Sequence, residues 1–320
     1  MKAITYRQYG GPEVFQLEEI ERPVPKDDEV LIRVKAVSIN DWDWALMKGD
    51  SVNRMINGFK RPKIRILGSD VAGIVESTGS NAAIYKPGDE VYGDLSGKWG
   101  GFAEYVCTQE KNLSFKPRPM SFTEAAALPQ AGMLAVQGLI DCGKIIQGER
   151  ILVNGAGGGV GTIGIQVAKT FNAEVTGVDK TRKLEKMLEI GFDHVIDYTA
   201  HDFTRKGIQY DLILDVKTNR PVLDYTRALK PGGRYVTVGG SIRRLLQGLV
   251  YKPLFSLYNK KRLSIVSLKT NKDLGYLNKI YEAGKLKPVI DGPYLFKDFK
   301  LAFDRYGSMD FFGKVVLVLE

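Results

Sequence analysis

The chain has 320 residues and carries 46 Lys and Arg against 37 Asp and Glu, a net charge of +9. Apolar residues at 44% and charged residues at 26% match the globular norm, which excludes a disordered or collagen-like chain. At about 100–200 residues per domain the length predicts two domains, and the basic balance favours an anionic partner: a phosphate cofactor, a nucleic acid or a membrane surface.

Residues 1–118 read as short strands and turns, an all-β or α+β unit. Val30–Val37 partly alternates, as a half-buried strand does. Strand material recurs at Ile64–Ser77 and Glu90–Tyr92, with turns at Gly10-Gly11-Pro12, Lys86–Asp89 and Gly100-Gly101. Ser121 with Glu124 three residues later predicts a capping box, and helices follow over 121–142 with a break near Pro129. From 149 the rhythm changes. Strands are predicted at Ile151–Val153, Glu174–Val178, His194–Ile196, Leu212–Leu214 and Tyr235–Val238, with helices at Thr162–Phe171 and Leu184–Glu189. That alternation predicts a doubly wound parallel sheet. The tail from Lys314 to Glu320 reads as a lone strand that rejoins the first unit.

Two cysteines, Cys107 and Cys142, and two histidines, His194 and His201, with no CxxC or HxxxH spacing, rule out a cysteine-rich structural zinc and disfavour a catalytic one. Two lone thiols point to a reducing compartment, and Cys107, in the alternating run Ala103–Cys107, is expected to be a core thiol. Residues 1–15 lack the apolar stretch of a signal peptide. No stretch reaches the ~18 apolar residues of a membrane-spanning helix. The expected location is cytoplasmic.

The most informative segment is Gly148–Gly161, with the sequence GERILVNGAGGGVG, which runs from strand through glycine loop to helix. Glycines there let the backbone turn tightly against a pyrophosphate, and the helix N-terminus supplies free N–H groups and the positive dipole end. Set inside a strand–helix–strand unit, the pattern predicts dinucleotide binding through Gly155, Gly158, Gly159 and Val160.

This segment resembles the signature of the quinone oxidoreductase branch of the medium-chain dehydrogenase/reductase superfamily. Gly148, Glu149, Leu152, Ala156-Gly157, Gly158-Gly159, Gly161, Gln166 and Lys169 fit it at the right spacings. Further motifs resemble the family in order along the whole chain: Asn40-x-x-Asp43, Leu67-Gly68-x-Asp70-x-Ala72-Gly73, Lys86-Pro87-Gly88-Asp89-x-Val91, Leu128-Pro129-x-Ala131-Gly132 and Gly313–Val316. The resemblance implies a GroES-like, mainly β catalytic domain (1–119 plus 288–320) and an inserted Rossmann domain (120–287), with a cleft between them. It also implies a homodimer paired through an edge strand, for which Leu263–Leu268 is the candidate. Zinc-dependent relatives carry a Cys near Asn40 and a His-Glu pair near Ser69-Asp70. This chain has neither, so the resemblance is to the zinc-free reductases.

The family implies NADPH contacts from a Lys and a Tyr, here Lys183 and Tyr198, with Lys180 and Arg182 adding positive charge. Asp179 opposes this. An acid at the end of the second strand is where NAD binders hold the ribose hydroxyls. NADPH is expected, with NADH as the alternative. The resemblance also places Asn40 beside the nicotinamide as an orienting hydrogen-bonder, and Gly239 and Gly240 near the same ring. Trp42, Tyr92 and Leu134 are candidates for the substrate pocket. Asp43 is expected to hold its loop, Trp44 to pack in the core or line the pocket, and Lys48 or Tyr92 to donate a proton. Leu134 stands where the family usually has a Thr.

Residues 225–272 contain eleven Lys or Arg and no Asp or Glu. Within them lie the apolar runs Leu245–Tyr251 and Leu254–Tyr258. Such a segment suits a lid, a dimer edge or a peripheral membrane contact through 242–262, whereas nucleic acid is disfavoured. The resulting expectation is an NADPH-dependent, zinc-free reductase acting on quinones or on the activated C=C bonds of enals and enones. The alternatives are a catalytically weak NADP(H)-binding protein working at a membrane or on RNA, and an NAD(H)-linked alcohol dehydrogenase.

Overall fold

The computed structural model describes residues 1–240, 242–257 and 260–319, without the side chains of 242 and 253–256. The chain divides into two compact units. One comprises Met1–Gln130, Thr270–Glu282 and Pro288–Glu320, and the other Ala131–Lys269 and Ala283–Lys287. The expected boundaries at 119 and 287 shift for local reasons. The Gln130 N–H donates to both oxygens of Asp70, at 3.2 Å each. Thr270–Glu282 is tied to the first unit by Asn271, bonded to Asp94, and by Asn278, bonded to Tyr92.

In chain order the first unit opens with β1 (Lys2–Thr5), β2 (Gln16–Glu19) and β3 (Glu29–Ser38), then α1 (Asp41–Lys48) and α2 (Ser51–Asn57). It continues with β4 (Asp70–Thr78), β5 (Glu90–Asp94), β6 (Tyr105–Gln109), β7 (Ser114–Phe115) and α3 (Phe122–Ala126). Then follow α4 (Pro129–Val136), β8 (Arg150–Asn154), α5 (Gly159–Lys169), β9 (Glu174–Asp179), α6 (Leu184–Glu189), β10 (His194–Asp197), β11 (Tyr210–Asp215), β12 (Leu229–Thr237), α7 (Ile242–Leu257) and β13 (Arg262–Ile265). The chain closes with α8 (Leu274–Glu282), β14 (Ile290–Leu295), α9 (Phe299–Gly307) and β15 (Lys314–Val318).

The first unit is a mainly antiparallel, GroES-like sheet in the order β14-β15-β3-β4-β5-β7, with β6 also on β3. The tail strand is therefore not alone. β15 runs parallel to β14 and antiparallel to β3. Hydrogen-bonded neighbours cover β3 along its length, so most of its residues are buried rather than every second one. Phe15, Phe102 and Phe303 pack together in this core, with Phe15 and Phe303 ring centroids 4.5 Å apart and Phe102 edge-on to Phe303. Cys107 is buried as expected, and burial pushes its thiol up to about 11.

The second unit is a wholly parallel six-stranded sheet in the order β10-β9-β8-β11-β12-β13, the Rossmann arrangement. The strand order reverses at β8, the switch point where ligands bind at the carboxyl edge of such sheets. The expected capping box opens α3: Ser121 Oγ accepts from the Glu124 N–H, and Glu124 Oε2 accepts from the Ser121 N–H at 2.9 Å. Pro129 starts α4, as its fixed φ favours. The glycine-turn helix begins at Gly159 rather than Thr162, because Gly158 itself takes the N-cap position. The candidate edge strand is present but shorter, Arg262–Ile265, at the outer edge of the sheet.

Candidate active site

The second unit gathers its predicted residues at the carboxyl ends of its strands. β8 leads into Gly155 at φ +87°, where a side chain would press against Lys217. The N–H groups of Gly155 and Ala156 both bond the Val178 carbonyl, at 2.9 and 3.1 Å, which pulls the turn flat against β9. Gly158 caps α5 with no side-chain hydrogen bond, and Gly159 and Val160 form the first turn. The leading N–H groups of this eleven-residue helix therefore have no side-chain cap, which suits an anion.

Asp179 sits beside this turn, buried at the end of β9. One carboxylate oxygen accepts from the Gly157 N–H and the other from the Lys180 N–H, both at 2.9 Å. The buried Lys183 ammonium lies 3.7 Å from the second oxygen. Burial pulls the Lys183 ammonium below its usual value, Asp179 opposes that, and Lys217, Lys180 and Arg182 reinforce it. Tyr198 is half-buried and held close by its N–H to the Asp179 carbonyl, at 3.2 Å. The structure thus brings Asp179, Lys183 and Tyr198 together in a cationic setting.

Lys217 is a member of this cluster that the sequence reading missed. Its signal was available: it stands two residues past β11 at the same carboxyl edge. Asp215 organises the neighbouring turn, accepting from Asn154 Nδ2 at 2.8 Å, Thr218 N–H at 2.8 Å and Tyr235 Oη at 2.6 Å. Gly240, at φ +128°, packs where a side chain would strike Thr218, whose hydroxyl bonds the Gly239 carbonyl.

In the first unit Asn40 ends the segment after β3 and caps α1. Its N–H donates to Asp43 Oδ2 at 2.9 Å, and Asp43 Oδ1 accepts from the Gly68 N–H at 2.9 Å. Asp43 thus holds the loop, as expected. Burial raises its carboxyl to about 7, against the pull of those two N–H donors. The Asn40 amide is fixed at both ends: Nδ2 donates to Ser69 Oγ at 3.0 Å, and Oδ1 accepts from Lys314 Nζ. The Asn40 amide also hydrogen-bonds the Asp70 carboxylate, so it sits inside a buried polar cluster with Ser69, Asp70 and Lys314.

Lys314, buried in β15, also donates to the Ile39 carbonyl at 3.3 Å and lies 3.5 Å from Asp70 Oδ2. Asp70 and Asp94 face each other as register partners on β4 and β5. Burial raises Asp70 to about 7, and Lys314 opposes it. Asp94 is raised too, chiefly by burial; one oxygen accepts from Ser96 and the other is a buried acceptor with no hydrogen-bond partner. Lys314 and Asp94 were not candidates from sequence, because their partners come from remote strands.

Tyr92 requires correction. It is fully buried in β5, and its hydroxyl donates to Asn278 Oδ1 at 2.7 Å. Burial drives the phenol well above its ordinary value. It therefore neither lines a pocket nor offers an accessible proton. Trp44 packs on Tyr306 with ring centroids 5.7 Å apart, Trp42 is 44% exposed, and Lys48 is exposed above the Trp44 ring. Leu134 is half-buried on α4.

Comparison with known proteins bears on this arrangement. Residues 26–118 match a family described as "Alcohol dehydrogenase GroES-like domain", and residues 190–317 one described as "Zinc-binding dehydrogenase". The chain is 37% identical over 332 residues to the 2-methylene-furan-3-one reductase of Solanum lycopersicum, covering 99% of this chain and 79% of that protein. The solved quinone oxidoreductase of Coxiella burnetii superposes with a TM-score of 0.88 at 27% identity, covering 100% of this chain and 99% of that one. The chain belongs to the quinone oxidoreductase branch of the medium-chain dehydrogenase/reductase superfamily. As a member of that branch it is an oxidoreductase. It is also 35% identical, over 99% of its length and 79% of the relative, to the chloroplastic NADPH-dependent alkenal/one oxidoreductase of Arabidopsis thaliana.

The matched family's description raises the question of zinc. The residues of this branch member do not fit it. Asn40, Ser69 and Asp70 stand where zinc-dependent relatives carry their ligands; Asn40 and Asp70 already face the Lys314 ammonium, and Ser69 bonds Asn40. A divalent ion there would face a buried like charge, with no thiolate or imidazole to hold it. Among the described residues no group of three His, Cys, Asp or Glu could hold a metal.

Proposed function

We propose that this oxidoreductase is an NADPH-dependent, zinc-free reductase of quinones and of the activated C=C bonds of enals and enones. The observation that carries the cofactor assignment is the state of Asp179. An acid at this position favours ribose hydroxyls over a phosphate when its charge is exposed. Asp179 is buried, each of its oxygens accepts from a backbone N–H of Gly157 or Lys180, and the Lys183 ammonium 3.7 Å away offsets its charge. The surrounding positive charge of Lys180, Arg182, Lys183 and Lys217 favours a phosphate there. The names of the relatives, a furanone reductase and an NADPH-dependent alkenal/one oxidoreductase, support the substrate class.

When bound, the reduced nicotinamide supplies a hydride. The chain's own work is to bind and orient. Gly155, Gly158, Gly159 and Val160 hold the pyrophosphate against the α5 N-terminus, and Lys183 and Tyr198 take the adenosine phosphate. Gly239 and Gly240 leave room for the ring. Asn40, clamped by Lys314 and Ser69, is the amide assigned to the substrate's carbonyl oxygen, for which it would exchange its bond to Asp70. Reduction of an enone places hydride on the β-carbon and a proton on the α-carbon. An N–H bond to the carbonyl oxygen stabilises the enolate charge between those two events. The zinc-dependent alcohol dehydrogenase chemistry is disfavoured because the residues at the zinc position offer no thiolate or imidazole ligand to hold a metal that would polarise an alcohol. We also infer a homodimer paired through the β13 edge, whose unpaired backbone groups invite a partner strand.

Fluorescence titration with NADPH and with NADH tests the assignment. NADPH is expected to bind at least about tenfold tighter, and Lys183→Ala to remove most of that advantage. A charge-assisted contact of about 1.5–3 kcal/mol corresponds to roughly 10–150-fold. An NADH preference would mean that Asp179 governs. With NADPH in hand, enones and quinones are screened for cofactor oxidation.

A further inference from the structure

The amphipathic helix α7 carries large apolar side chains on its outer face as well as its inner one. A surface helix normally turns its apolar face inward. In α7, Gly248 is buried, and a side chain there would touch Leu263 and Ile265 of β13 at about 3.8–3.9 Å. Arg244, Leu245, Gln247 and Tyr251 flank that inner side, half-buried, with the Arg244 guanidinium donating to Gln247 at 2.9 Å. At 3.6 residues per turn, Leu246, Val250 and Leu257 lie on the opposite side of the helix from Gly248, with Leu249 beside them. These four are 56%, 71%, 77% and 56% exposed in that order.

The charge around this face has one sign. Arg243 and Lys252 on α7, and Lys260 and Arg262 just beyond it, are exposed. The eleven cations of 225–272 exceed the whole chain's net charge of +9, so the rest of the chain is net negative. Several of them are spent internally: Arg227 on Asp224, Lys230 on Asp211, Arg234 on Glu149 and Lys261 on the Thr226 carbonyl. Of the exposed ones, Arg243, Lys252, Lys260 and Arg262 lie on or just after α7, while Arg227, Lys269 and Lys272 lie elsewhere. The second apolar run of this segment, 254–258, lies largely outside the described residues, and only Leu257 enters the argument.

We propose that α7 is an interfacial helix that docks this enzyme on an anionic lipid bilayer. Leu246, Leu249, Val250 and Leu257 enter the acyl boundary, Arg243 beside them meets the headgroups, and Lys252, on the Gly248 side of the helix, adds long-range attraction. An apolar outer face with flanking cations and no acid is the pattern that binds such surfaces. No described helix is long and apolar enough to cross a membrane, so the contact is peripheral. The proposal does not depend on the reductase reading, and its test needs no cofactor.

The test is cosedimentation with vesicles of phosphatidylcholine alone or with about 30 mol% phosphatidylglycerol. The full chain is expected to favour the anionic vesicles at least about tenfold at low salt and to lose much of that preference at high salt. Leu249→Asp/Val250→Asp should reduce binding about tenfold or more while leaving NADPH affinity unchanged. Arg243→Glu/Lys252→Glu should reduce it mainly at low salt. Leu249→Trp keeps the face apolar and should show a blue-shifted emission on anionic vesicles alone. Absence of binding at low salt, or equal binding by Leu249→Asp/Val250→Asp, would overturn the proposal. So would a wild-type dimer that this double variant dissociates without any vesicle binding, because the face would then belong to a second copy of the chain.

Discussion

Lys314→Met is expected to destabilise the protein by about 3–5 kcal/mol near about pH 8, the usual cost of stripping one partner from a buried ion pair. Methionine matches the length of the side chain but removes the ammonium that faces Asp70 and bonds Asn40 Oδ1 and the Ile39 carbonyl. Two buried carboxylates, Asp70 and Asp94, are then left without their cation. The pH dependence follows from the direction of their shifts. Burial raises Asp70 to about 7 from an ordinary 3.8 even with Lys314 present, and losing Lys314 raises it further. A carboxyl raised on folding contributes stability below its unfolded value, and that contribution is lost as pH climbs through the folded value. The variant's deficit should therefore be small near about pH 4, grow steadily past pH 7 and be largest on the alkaline side. Urea unfolding of both proteins at matched pH values measures it. Carboxylates held low elsewhere, such as Glu174 beside Arg150, act equally on both proteins and cancel in the difference. A deficit that does not change with pH would reduce Lys314 to a packing residue. The kinetic companion is a fall in kcat with NADPH affinity retained, since Asn40 loses the clamp that aims its amide.

What could be read from the chain beforehand follows how local each feature is. The glycine turn was legible because strand, loop and helix are contiguous, and the glycines answer to a backbone need at the position where they stand. The capping box at Ser121 and Glu124 is equally local. The Asn40 cluster was not legible as a unit. Lys314 stands 274 positions from Asn40 and 244 from Asp70, and only the insertion of β15 beside β3 brings them together. Tyr92 failed for the same reason. Its strand pattern leaves the covered face undetermined, and the covering residue, Asn278, comes from a helix 186 positions later. The Asp179 question was posed correctly from sequence but could not be weighed there. Its answer lies in the Gly157 N–H, which reaches the carboxylate only once the turn folds back on β9. The helices α1 and α2 are short, and tertiary partners such as Gly68 on Asp43 stabilise them more than their own propensity does.

Gly161→Ala carries the second large effect and separates cofactor binding from general stability. A Cβ on Gly161 would lie 2.4 Å from the Ala156 carbonyl oxygen, 2.5 Å from its Cα and 2.6 Å from its carbonyl carbon. All three are backbone atoms of the glycine turn, so no side chain can swing aside, and the turn must lift from the start of α5. Overpacking of this kind costs about 1–3 kcal/mol. The displaced atoms are the ones proposed to cradle the pyrophosphate, so the same strain should appear in NADPH affinity, as a loss of roughly 10–100-fold or more. Gly275→Ala is the control. It lies in α8 with nothing within 4 Å of the added carbon, and alanine's helix preference of about 1 kcal/mol over glycine should leave the fold equal or firmer. Paired NADPH titrations and thermal melts read both effects. The cofactor assignment requires the Gly161 variant, at a temperature where it stays folded, to lose NADPH binding while the Gly275 variant keeps it. Retained affinity in a folded Gly161→Ala protein would remove the dinucleotide from this turn. The reductase function would then lose its footing, because no other described helix in the second unit pairs an uncapped N-terminus with a glycine loop at the sheet's switch point.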